Sequence, residues 1–193
     1  MMPSASQALL AGAAALLSLQ VWASSLPPEL RGALPGDAPS GQAKLTFWGF
    51  EVYQAALWVA PGFNAKRYFA HDFALQLAYL RDFSGADIAK RSLAEMARLT
   101  PISESKAERW AKQMRALFPD VKAGDRLTGL HQPGVGARFL FNGQPLGEIA
   151  DPEFARLFFG IWLSPQTSEP KLRLSLLQQV TAAAAGAPVA STP

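Results

Sequence analysis

The chain has no cysteine among its 193 residues. That excludes disulfide staples, thiolate metal sites, a cysteine nucleophile and the lipid-modified cysteine of a bacterial lipoprotein. It leaves the compartment open, because a domain of this length can bury a sufficient core without cross-links. Histidine is scarce, with two copies. His71 falls in a polar loop pattern and His131 alternates on a strand. Neither has a second ligand nearby in sequence, so each reads as a structural or surface histidine. Charge is thin as well: 17% of residues, 18 basic against 15 acidic, net +3. Lys106, Arg109, Lys112 and Arg115 cluster at helical spacing, which is the pattern of a solvated helix face. No aromatic residues interleave with them to stack on bases, so nucleic acid is not an expected partner. Gly134-Val135-Gly136 lacks the third glycine and the following helix of a phosphate loop. No serine stands in a Gly-x-Ser-x-Gly elbow. No catalytic, metal-binding or cofactor constellation is visible.

What the sequence does contain begins with residues 1–23, which read as a cleaved secretory signal. Residues 9–21 form an apolar run, and Val21 and Ala23 supply the small residues before a cut at Ser24. The run falls short of the roughly 20 apolar residues of a spanning helix. The expectation is a periplasmic protein with cleavage near Ala23 and no membrane span in its mature form. Residues 24–41, rich in Pro, Gly, Ser and Ala, read as an irregular lead-in.

Residues 44–59 read KLTFWGFEVYQAALWV. Taken as strand, both faces carry large aromatic groups and one polar residue near the middle. A half-buried strand would separate them. Either both faces are covered, or one lines something apolar. Gly49 marks a turn or bulge that divides the segment into two strands. Residues 73–81 alternate, with Phe73, Leu75, Leu77 and Tyr79 on one face, and form a third strand. Two helices follow. Ile88, Ser92, Leu93, Met96 and Leu99 recur before Pro101. Ser103 then caps a stripe of Trp110, Met114, Leu117 and Phe118. Residues 126–132 read as a strand, and Asn142-Gly143 between 137–141 and 144–149 is a type I′ hairpin signal. Asp151-Pro152-Glu153 opens a very apolar helix with a cap, a first-turn proline and an acid. A last helix runs from Ser168 to about Gln179. Residues 180–193 read as a disordered tail. The fold class is α+β: six or seven antiparallel strands with a layer of helices on one face, in a domain spanning 42–179.

Three blocks of this sequence resemble the chalcone isomerase-like family, in its secreted bacterial branch. They are Val52-Tyr53-Gln-Ala-Ala-Leu-Trp-Val, then Gly124-Asp125-Arg126-Leu127 with Gly136…Phe141-Asn142-Gly143, and then Phe158-Phe159-Gly160-Ile161-Trp162-Leu163. The resemblance implies an open-faced sandwich, with a cleft between sheet and helices that holds the ligand. In fatty-acid-binding members an Arg stands twelve residues before a Tyr, and the two hold the carboxylate. Tyr53 matches the Tyr, but the Arg position falls on Gly41. Lys44 is the nearest cation and has the opposite strand parity. In the chalcone-cyclising enzymes the Tyr53 position is Thr, and a catalytic Tyr and Asn fall on Ile88 and Glu95 here. Isoleucine cannot donate a hydrogen bond to a developing oxyanion.

The resemblance therefore implies a non-catalytic protein, without a cofactor, that binds a small apolar or amphipathic, fatty-acid-like ligand. Tyr53, Lys44 and Trp58 are the expected ligand contacts. The alternatives are an isomerase or lyase with other catalytic residues, and a partner-binding module that uses an aromatic groove. A buried Glu51 beside Trp48, Trp58 or Tyr53 would favour the enzyme; an exposed Glu51 on an edge strand is the simpler reading.

Overall fold

A computed structural model of the protein describes residues 26–32, 34 and 39–186. The secretory signal expected at 1–23 lies outside them, as does the end of the expected tail, 187–193. Six strands form one antiparallel sheet in sequence order: β1 (Gly41–Phe47), β2 (Phe50–Val59), β3 (Phe73–Tyr79), β4 (Arg126–Gln132), β5 (Gly136–Phe141) and β6 (Gln144–Ile149). Among the described residues five α-helices accompany them: α1 (Gly85–Leu99), α2 (Glu104–Leu117), α3 (Pro152–Leu163), α4 (Pro170–Leu176) and α5 (Gln178–Gly186). The chain is α+β, a helix layer against an open sheet.

Turn chemistry sets the hairpins. Asn142 and Gly143 take φ of 49° and 85°, the paired positive values that a type I′ turn demands. Trp48 and Gly49 do the same at the first hairpin, with φ of 50° and 79°. Asp151 caps α3 by accepting from the backbone N–H groups of Glu153 and Phe154, both at 3.0 Å. Its other oxygen accepts from Trp110 Nε1 at 2.9 Å and from Arg109, so the cap also ties α2 to α3.

Strand β3 is buried on both faces. Its odd residues join α1–α4 in the main core, where Phe159 packs edge-on against Phe73 and Phe158 against Phe139. Gly129 makes room for this, because a Cβ there would stand 2.9 Å from the Phe159 ring. On the opposite face Trp58 and Ala74 meet Leu26, Leu30 and Leu34. The described part of the expected irregular lead-in therefore packs over the back of the sheet through Leu26, Leu30 and Leu34, and both faces of β2 are covered along its second half. Ser40 and Gly41 lock the first strand to the last helices: Ser40 Oγ lies 3.1 Å from both Leu57 O and Leu176 O.

Two expectations about ends are corrected. Helical structure continues to Gly186, where residues past Gln179 were expected to be a disordered tail. Alanine carries helix propensity without apolar periodicity, so the run Ala182–185 gave no amphipathic signal. Ser103 occupies the N-cap position of α2 but makes no side-chain cap bond.

Candidate functional site

Strands β1 and β2 do not stay in phase. Leu45 pairs with Tyr53 while Thr46 pairs with Glu51, so Val52 is an extra, unpaired residue. A bulge of this kind shifts side-chain parity on one strand. Beyond it Phe50 turns toward the helices and Glu51 turns to the back of the sheet, where its carboxylate meets Lys44 Nζ at 2.6 Å.

The result is a cleft of about 540 Å³ between the first half of the sheet and the helices. That is within the usual range for small-molecule sites, roughly 300–1,000 Å³. Leu45, Phe47, Trp48 and Phe50 form its lip. Tyr53, Leu77, Tyr79 and Leu127 form its floor, and Ile88, Phe158, Ile161 and Trp162 cover it from α1 and α3. The walls are overwhelmingly apolar.

Polar groups gather on one side. Tyr53 Oη accepts a hydrogen bond from Trp162 Nε1 at 2.9 Å. Burial holds the Tyr53 hydroxyl pKa well above the ordinary tyrosine value, and the Trp162 bond only partly offsets it. The group therefore stays protonated, and its own proton has no acceptor among the described residues. It is a donor waiting for one. Glu95, on α1, is buried and fully engaged: Arg91 at 2.7 Å, Arg98 at 3.2 Å and Ser168 Oγ at 2.9 Å hold its carboxylate. This knot fastens α1 to the α3–α4 connection at the edge of the cleft. Arg81 lines the lip, its guanidinium 4.9 Å from the Phe50 ring centroid.

Of the three expected contacts, the structure brings only Tyr53 into the cleft. Lys44 is corrected: it points to the back of the sheet, bound to exposed Glu51. Trp58 is corrected as well. It pairs with Ala74 on the opposite face, in the smaller core under the lead-in. Alternation from Tyr53 already places Trp58 on the other side, because five residues is an odd interval. Gly41 is also outside the cleft, since a Cβ there would lie 2.1 Å from Ser175 O and 2.4 Å from Leu176 O. The cations at the cleft are Arg81 and Arg91, which sequence reading missed. Arg91 lies on the polar side of an amphipathic pattern, where arginine ordinarily signals solvent alone.

Ile88 and Glu95 both line the cleft, one turn and three turns into α1. Neither presents a free hydrogen-bond donor to it. Among the described residues no group of three His, Asp or Glu could hold a metal, and no helix is long and apolar enough to cross a membrane.

The family model described as chalcone isomerase-like matches residues 41–178. An uncharacterized protein of Haemophilus influenzae is 30% identical over 139 residues, spanning 72% of this chain and 67% of that one. The crystal structure of an Arabidopsis thaliana fatty-acid binding protein superposes with a TM-score of 0.60 at 12% identity. It covers 78% of this chain and 92% of its own. At that identity the likeness speaks for the fold.

Proposed function

Because the chain belongs to the chalcone isomerase-like family, we propose that it is a non-catalytic binding protein for a small apolar or amphipathic ligand with an acyl-like tail. The observation that carries this reading is the apolar cleft, with the Tyr53 hydroxyl among its unspent donors. Each buried methylene contributes about 0.8 kcal/mol, so a chain of modest length binds through its tail. The Tyr53 O–H then orients an oxygen of the head group. The fatty-acid binding protein of the same fold makes acyl ligands the first class to test.

The head group is expected to matter little by charge. Two guanidinium groups, Arg81 and Arg91, line the cleft against three carboxylates, Asp87, Glu95 and Glu169. Arg91 is already paired with Glu95. An acid should therefore exceed the matching alcohol by much less than the about 1.5–3 kcal/mol of a charge-assisted hydrogen bond. Titrating acid and alcohol of equal chain length into wild type, Tyr53→Phe, Arg91→Gln and Lys44→Ala tests this. Tyr53→Phe should cost about 1 kcal/mol of binding, and Lys44→Ala nothing. A large acid preference that vanishes in Arg91→Gln would make Arg91 a carboxylate anchor. Failure of every long-chain ligand to bind would remove the reading.

The same proposal places the protein in the periplasm, after loss of residues 1–23. Native mass spectrometry of protein taken from its producing cell reads two things at once. The expected mass starts at or near Ser24 and carries a small ligand; an intact Met1 in the soluble fraction would end the export proposal.

A further inference from the structure

The lip of the cleft is unusual in its own right. Phe47, Trp48 and Phe50 are 53%, 85% and 60% exposed, and they sit together at the tip of one hairpin. The Phe47 and Trp48 rings lie 5.8 Å apart and nearly parallel, so the tip is a single aromatic blade. Trp48 holds a φ of 50° at a turn position that Asn or Gly would occupy without strain. A bulky residue in that conformation, and in water, is kept at a cost to stability. Such outliers point from geometry to function.

We propose that this hairpin tip docks on a lipid bilayer surface containing anionic lipids. Tryptophan and phenylalanine favour the boundary between head groups and acyl chains. Arg81, packed on Phe50 and in no ion pair among the described residues, stands where the tip would meet the phosphates. Arg91 lines the same opening but is held by Glu95, so Arg81 is the cation the docking rests on. Most nearby acids face other work: Glu51 is on the back of the sheet with Lys44, Asp82 accepts from Ala123 N, Asp87 from Ser84 Oγ, and Glu95 holds Arg91 and Arg98. Glu169, at the start of α4, is the cleft carboxylate in no ion pair among the described residues. A protein partner would need a groove to receive a convex two-residue turn, whereas a bilayer receives any apolar tip. The tip is also the mouth of the cleft, so docking lets an acyl chain pass between bilayer and protein without crossing water. That last consequence rests on the ligand reading above; the docking does not.

The test is co-sedimentation of the full chain with vesicles of phosphatidylcholine alone and of phosphatidylcholine mixed with phosphatidylglycerol. Wild type should bind the mixed vesicles more tightly. Trp48→Asn should weaken that binding about tenfold, having lost the largest inserted side chain. Its melting temperature should stay level or rise, because Asn suits the turn. Arg81→Gln should cost about fivefold on mixed vesicles, the share of one basic group at an anionic surface. Wild type that ignores both vesicles would overturn the docking and leave the tip to a protein partner. Trp48→Asn binding as tightly as wild type would also overturn it. Acyl-ligand titration without vesicles is the separate arm: its failure beside intact vesicle binding removes the ligand reading and leaves the docking standing.

Discussion

Single residues decide which part of the sheet becomes the cleft. Val52 is the extra residue of the bulge, and it sends Phe50 to the lip and Glu51 to the back. Nothing in the alternation of residues 44–59 marks it, because aromatic groups stand on both sides of the pattern. Lys44 and Tyr53 both lie on the regular side of the bulge, and there plain alternation already assigns Lys44, opposite Gln54, to the back of the sheet and Tyr53 to the cleft. Gly41 shows a second kind of residue-level constraint. Its Cα rests against the last carbonyls of α4, and a methyl group there would meet Ser175 O at 2.1 Å. Gly41→Ala should therefore destabilise the fold by about 1–3 kcal/mol through overpacking against backbone that cannot rotate away. Chemical denaturation would show it as a lower midpoint at constant slope. An unchanged midpoint would mean α4 shifts freely. Tyr53→Phe has a cost of this kind too, since it leaves the buried indole N–H of Trp162 without its acceptor.

At the scale of elements, the signals that were legible are those with a local mechanism. Asn142-Gly143 dictates its hairpin, and the largely apolar α3 declares its burial. The cap of α3 was readable as well, but its reach was not: Asp151 also accepts from Trp110 on α2. No local pattern reports a partner 41 residues away. Hydrogen bonds from Phe154 and Glu153 N–H, Trp110 and Arg109 outweigh burial and hold the Asp151 carboxyl below its ordinary pKa. Asp151→Ala removes a cap and orphans a buried indole at once. The expected loss is about 2–3 kcal/mol, against about 1 for a cap alone. Asp151→Asn should recover part of it, because one amide oxygen still serves the helix N–H groups. Thermal unfolding of the two variants distinguishes a helix cap from a link between helices: full recovery of wild-type stability in Asp151→Asn would deny the link.

Over the whole molecule, acid sensitivity is expected to start at His131. It is buried against Phe73, with ring centroids 4.7 Å apart, and its Nδ1–H donates to His71 O at 2.8 Å. Burial pushes its pKa below 6.5, more than the His71 bond raises it. The unfolded chain then takes up a proton that the folded chain refuses. Stability from this group is complete above pH 6.5 and is lost as pH falls from there to the folded-state value. The slope within that window approaches about 1.4 kcal/mol per pH unit. Melting temperature should fall across it in wild type and much less in His131→Gln; parallel curves would clear His131. The sheet carries a further consequence, in the order of events during folding. Every strand pairs with its neighbour in sequence; the β1–β2, β4–β5 and β5–β6 hairpins close over turns of two or three residues, whereas β3 and β4 must close over residues 80–125, which carry α1 and α2. A far longer closure is the lock between Ser40 and Leu176, separated by 136 residues. Closing a free loop of that length costs about 4 kcal/mol of chain entropy beyond a constant. The cost shrinks once the intervening hairpins stand, so the lock belongs to the end of the folding path. A chain synthesised from its amino terminus cannot fasten β1 until α4 has emerged, and until then the floor of its cleft is an unclamped edge.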